Sequence, residues 1–269
     1  MRSGEASMTA RRVAAHRLSF HRVPCPWATS TPGADDDRRL EADVAAGVEV
    51  ASSDMARYLR ARTAFFDTVV VRSLDPNAGT GIDQAVSVGA GYDGRALRYA
   101  RSGARWFELD HPDTQADKLA RLGALHIEAP DVTFVAADFV VDDVGAALRD
   151  AGHDPSRPTV FTCEGVAGYL DPGAFTTLLA ALGRAASAGS RLALTLPLEP
   201  ESEEQRHRRG RLDAAVSAMG EPLASTVPRA ELRDRLRTAG WIVRRATDPA
   251  GVPLERSTRT SAFVVAVTA

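Results

Sequence analysis

The chain has 269 residues, is 44% hydrophobic, and carries 33 basic against 35 acidic side chains for a formal charge of -2. That is material for one large α/β domain with elaborations, and its charge gives no global pull toward nucleic acid or an anionic membrane. Cys25 and Cys163 cannot build a disulfide scaffold and lack zinc-type spacing, and no window reaches the length of a membrane span. The expectation is a soluble, cytoplasmic protein without a metal site, acting on small molecules.

The pattern predicts a first helix over 8–18, with Thr9 as its cap and Val13 and Leu18 on its apolar side. Pro24, Pro26, Pro32 and Gly33 then break the chain. Asp35, Asp36 and Asp37 favour a second helix over 35–47 through its terminal dipole, and Gly47 stops it. Ser52 or Ser53 caps a longer helix to about residue 73, with Leu59, Phe65, Phe66, Val69 and Val70 as its core contacts. Residues 1–81 read as a helical cap covering a cofactor site, and 82–269 as the domain that holds it.

An apolar strand over 84–88 runs into clustered glycines and then a helix from Arg95. Strands at 106–109, 132–136, 159–163 and 191–196 follow, alternating with helices at 95–101, 113–124, 142–151 and 172–188. This rhythm predicts a mostly parallel sheet covered on both faces. Residues 198–225 interrupt it with Glu201, Glu203, Glu204, Arg206, Arg208, Arg209 and Arg211, read as a solvated lid. A helix over 228–239 and strands at 241–245 and 261–267 complete a Rossmann-like sheet of seven strands, the last antiparallel.

Gly89, Ala90 and Gly91 form a turn at which a ligand can approach the main chain. Gly89, Gly91 and Gly94 satisfy GxGxxG, and Asp110 lies 21 residues after Gly89, so a nicotinamide or flavin enzyme is one reading. Asp138 and Phe139 after the third strand, and Glu164 after the fourth, favour another. The tips of parallel strands converge on one crevice, and this row suits an adenosyl sulfonium cofactor. Asp110 would accept from ribose hydroxyls, Asp138 and Phe139 would frame adenine, and Glu164 would hold the methionyl ammonium. Among the upstream arginines, Arg62 is the candidate for the methionyl carboxylate.

RARTAFFD at 60–67, VGAGYDGR at 88–95, FELDHPDTQ at 107–115 and EGVAGYL at 164–170 together resemble the leucine carboxyl methyltransferase family. That family is a branch of the class I S-adenosylmethionine-dependent methyltransferases. Its short bacterial members resemble carboxyl methyltransferases of polyketide and other secondary metabolism, and its eukaryotic namesake esterifies a protein's terminal leucine. The resemblance implies S-adenosyl-L-methionine as cofactor and the same roles for Arg62, Gly89, Asp110, Asp138, Phe139 and Glu164, with Tyr169 near the methyl-transfer region. Gly94 departs from the Thr or Ser of many relatives, and residues 166–168 from their bulkier apolar side chains.

A methyl sulfonium is already a strong electrophile, so alignment of an acceptor oxygen supplies much of the catalysis. A carboxylate acceptor is ionised near neutrality and needs no base, whereas a phenol does. Tyr92 and Tyr169 are the candidates to position the acceptor, and Asp93 to brace the glycine turn; core packing, an aromatic wall and a local turn bond are their plainer roles. His111 and Pro112 are read as fixing a helix start, His16 and His21 as structural or surface residues, and Cys163 as a buried strand-end thiol. The acceptor and the oligomeric state stay open.

Overall fold

Strand β1 (Gln84–Val88) is buried at every position, as a central parallel strand covered on both faces requires. In the computed structural model, described over residues 6–27, 32–50, 53–100 and 103–268, β1 pairs in parallel with β2 (Arg105–Asp110) and β4 (Thr159–Cys163). Strand β2 continues to β3 (Val132–Ala136), and β4 to β5 (Arg191–Pro197), again in parallel. Strand β7 (Ser261–Thr268) enters antiparallel between β5 and β6 (Trp241–Thr247). The order β3-β2-β1-β4-β5-β7-β6 is the seven-stranded, mostly parallel sheet expected. The chain leaves β1 outward on one side and returns to its other side at β4, so a crevice opens beyond the carboxyl ends of these two strands.

Helix α1 (Met8–Arg17) is capped by Ser7, whose hydroxyl accepts from the Ala10 amide. This corrects the expected cap at Thr9. Two cap-forming residues stand two positions apart, and the tertiary setting selects the earlier. Helix α2 (Pro32–Ala45) starts before the aspartates predicted to open it, and Gly47 follows it at a φ of 74°. Helix α3 (Ser53–Leu74) turns Phe65, Phe66, Val69, Val70 and Leu74 onto a core shared with Ala85, Trp106, Val160 and Phe263 of the sheet. Its predicted caps, Ser52 and the Ser53 side chain, lie outside the described residues.

Helix α4 (Arg95–Arg98) is a single turn, shorter than the 95–101 expected; residue 101 lies outside the described residues. Helices α5 (Pro112–Ala124), α6 (Val144–Asp150) and α7 (Pro172–Arg184) follow their strands as the pattern requires. Helix α8 (Glu203–Ser217) occupies the predicted insertion, opened by a capping box between Ser202 and Gln205, and Val216 is its buried residue. Residues 229–231 form a 3-10 turn before α9 (Leu232–Thr238). No helix among the described residues is long and apolar enough to cross a membrane.

Candidate active site

The turn after β1 is held by main chain. The amides of Gly89 and Ala90 donate to the Leu109 carbonyl at 2.9 and 3.0 Å, and Gly89 takes a φ of 67°. A Cβ on Gly89 would stand 2.3 Å from a Val166 methyl and 3.9 Å from the Phe139 ring. The turn, the residue after Asp138 and the loop after Glu164 thus converge on one point, and only glycine fits there.

At the tip of β2, Asp110 accepts from the amides of Gly91 (2.5 Å) and His111 (2.7 Å). Burial raises its pKa, and these two amides oppose the rise. His111 caps α5 through Nδ1, which accepts from the Asp113 amide, and Pro112 opens the helix. Its Nε2 lies 4.0 Å from Asp138 Oδ2. Asp138 is itself partly exposed and accepts from the Val140 amide at 2.9 Å. His111 therefore fixes the start of α5, the structural role the sequence suggests.

At the tip of β4, Glu164 sits among three guanidinium groups. Its Oε1 accepts from Arg62 Nε at 2.8 Å and Arg17 Nη2 at 3.0 Å, and its Oε2 from Arg95 Nη1 at 2.7 Å. Burial pushes the Glu164 pKa up, but Arg95, Arg17 and Arg62 outweigh it and hold the carboxyl well below its usual range. Arg95 also donates to Asp67 at 2.7 Å and to Asp93, and its amide binds Asp93 Oδ1 at 3.0 Å. Asp67 is shared with Arg22. Asp93 thus provides the local turn bond expected of it, together with a buried ion pair.

Gly94 has a specific reason to lack a side chain: its Cβ would stand 1.9 Å from Asp37 Oδ1. Asp37 comes from α2 and pairs with Arg22 and Arg98 at 3.1 and 2.5 Å. A carboxylate from the N-terminal helices thus fills the space that a side chain at this position would need.

Tyr169 lies beyond Glu164. Burial raises its pKa, the nearby Glu221 carboxylate adds to the rise, and Thr9 and Arg62 oppose it. Tyr92 is elsewhere. It is 1% exposed, packs with Ala14, Leu40 and Val44, and directs its hydroxyl to Asp117. The expectation that it positions an acceptor gives way to core packing, because the turn after Gly91 points its ring under α1 and α2. Cys163 is fully buried and its thiol is pushed up to about 12 by desolvation, consistent with the inert strand-end reading.

Several site residues were invisible in the sequence. Arg17, Arg95 and Asp67 complete the charge cluster. Glu221, after α8, accepts from the Met8 amide at 2.7 Å and the Ser7 hydroxyl at 3.1 Å, fastening the start of α1. Buried donors also stand unpartnered beside the cluster among the described residues: Arg17 Nε and the Thr63 hydroxyl.

A seven-stranded sheet of this order, with a glycine turn at its switch point and acids on successive strand tips, defines a Rossmann-like fold of the class I methyltransferase type. Within that class the chain belongs to the leucine carboxyl methyltransferase family, whose profile matches residues 17–183. A Mycolicibacterium smegmatis protein, provisionally assigned as an S-adenosyl-L-methionine-dependent methyltransferase, is 32% identical over 257 residues, covering 86% of this chain and 77% of that protein. A Mycobacterium avium protein with the same provisional assignment is 39% identical over 176 residues, 64% of this chain. The chain spans little more than half, 54%, of that relative.

Among solved structures, a DUF574 family protein from Streptomyces avermitilis superposes with a TM-score of 0.63 at 15% identity, covering 99% of both chains. Magnesium protoporphyrin IX methyltransferase from Synechocystis, solved with bound SAH, gives 0.54 at 14% identity, covering 89% of this chain and 96% of that one.

Proposed function

We propose that the chain is an S-adenosylmethionine-dependent O-methyltransferase whose acceptor is a carboxylate on a small molecule, such as a polyketide or another secondary metabolite. The carrying observation is the buried Arg62–Glu164 pair beside the glycine turn. An amino-acid zwitterion complements such a pair, with its ammonium toward Glu164 and its carboxylate toward Arg62. Arg17 Nε and the Thr63 hydroxyl, both buried and unsatisfied, suit a further anionic oxygen there. Asp110 would then meet the ribose hydroxyls and Asp138 with Phe139 the adenine. Family membership favours this reading over the nicotinamide enzyme that GxGxxG alone allows.

The sulfonium cofactor supplies an activated methyl group, and the chain's own residues supply alignment. The Glu164 cluster would anchor the amino-acid end, and α1, fastened by Glu221, would exclude water over it. Tyr169 would orient the acceptor. Its raised pKa keeps the hydroxyl protonated at neutral pH, so it donates a hydrogen bond and does not remove a proton. A carboxylate acceptor arrives ionised and needs no base, whereas a phenol would need one from another residue.

The test is incubation with isotopically methyl-labelled cofactor and matched panels of organic acids and phenols, followed by mass spectrometry. A label released by mild alkali, as from a methyl ester, supports the proposal. An alkali-stable aryl ether as the sole product replaces it with the phenolic reading.

A further inference from the structure

A groove of about 750 Å³ lies between α3 and the edge strand β6, within the roughly 300–1,000 Å³ of small-molecule sites. Its floor is apolar, with Phe65 and Ala64 from α3 and Phe263 from β7. Its rim carries Arg72, Arg233, Arg244 and Arg245. We propose that this groove is a second binding site, for a small amphipathic organic anion whose aryl or acyl body lies on the floor and whose phosphate or carboxylate meets the arginines.

The register of β6 aims these side chains. Val243 pairs with Ala266 and Arg245 with Val265, leaving Arg244 as an inserted residue at a bulge. Consecutive strand residues ordinarily face opposite ways, and the bulge lets Arg244 and Arg245 line one groove. The Arg245 guanidinium also sits 5.7 Å from the centre of the Phe65 ring, joining cation and apolar floor.

The positive charge is incompletely balanced. Arg72 and Arg244 have no acidic partner among the described residues, and Arg233 has the exposed Glu255 at 2.8 Å. Asp248 is already engaged by the amides of Ala250 and Val252 and the Ser257 hydroxyl. The whole chain is slightly acidic, so the patch is not a by-product of general basicity. Arginines on an edge strand do discourage strand pairing between copies. That accounts for Arg244 and Arg245, whereas Arg72 and Arg233 reach the groove from two helices.

The groove is separate from the Glu164 cluster. Phe65 and Phe263 stand 5.1 Å apart between ring centres, Phe263 and Tyr58 5.9 Å, and Arg62 lies over Tyr58 at 5.7 Å. This row of rings stands between the two sites, so the proposal does not depend on the methyltransferase reading.

The test is calorimetric titration of the full chain with 2-naphthyl phosphate, with S-adenosylhomocysteine present to occupy the other site. Saturable 1:1 binding is expected, weakened about tenfold by Arg72→Gln and by Arg244→Gln through loss of a charge-assisted bond. Both residues are exposed, and unchanged thermal unfolding verifies the fold. Thr68→Trp, which fills the groove, should abolish binding. Equal binding of neutral 2-naphthol, equal competition by inorganic phosphate, or indifference to all three substitutions would overturn the proposal.

Discussion

Arg62 Nε stands 2.8 Å from Glu164 Oε1 across 102 residues of sequence, joining the long N-terminal helix to the tip of β4. Arg17 donates to the same oxygen and Arg95 to the other. The cluster is therefore both the proposed cofactor anchor and the joint that seats the N-terminal helices on the sheet. Glu164→Gln keeps the shape but removes the carboxylate partner of buried Arg62 and one of those of Arg17 and Arg95. The expected loss is roughly 3–5 kcal/mol of folding stability, measured by denaturant unfolding. A loss below about 1 kcal/mol would show that the cluster is solvent-screened.

Glu41 predicts a pH dependence. Burial and the neighbouring Asp37 push its carboxyl up to about 7, against the pull of Arg22. Its pKa in the unfolded chain is about 4.3, so folding takes up a proton between these values. Stability from this group is full below the lower value, falls as pH rises toward the upper one, and is level above it. Glu41→Gln should flatten the decline in melting temperature across that window. Parallel profiles for the variant and the parent would reject the assignment.

Gly89→Ala places a methyl against Val166 in a left-handed backbone conformation. The conformation alone costs about 1–2 kcal/mol, and the steric overlap adds to it. Gly123→Ala is the control, with open space around its Cβ, and should be neutral or stabilising by roughly 0.5–1 kcal/mol. Equal unfolding midpoints for the two variants would contradict the tight convergence at the turn.

Asp110→Ala removes the acceptor for the Gly91 and His111 amides and, on the proposed function, the partner of the ribose hydroxyls. Affinity for S-adenosylhomocysteine should fall by roughly 1–3 kcal/mol. Tyr169→Phe should instead lower methyl transfer while leaving that affinity unchanged. Unaltered binding in the first, or unaltered steady-state parameters in the second, would remove the respective role.

Much of this was legible in the sequence for local reasons. The β1 strand, its glycines and the acids at 110, 138 and 164 sit at fixed offsets from apolar runs, so the chain itself brings them to one sheet edge. Arg62 was reachable because it stands on an evident helix before β1. The partners of Glu164 were not, since nothing local distinguishes Arg17 or Arg95 among 33 basic residues. Pairing across the fold chooses them. Tyr92 misled for the same reason: it follows the glycine turn in sequence, but its ring leaves the site for the packing beneath α1 and α2. Glu221 fastens α1 from more than 200 residues away, beyond any pattern of helix caps.

The most direct test is calorimetric titration of the folded protein with S-adenosylhomocysteine, repeated with Arg62→Met. One saturable site is expected in the parent and binding weakened about tenfold or more in the variant, the loss expected for a charge-assisted pair. Absence of binding by the folded parent protein, or equal affinity in the variant, would contradict it.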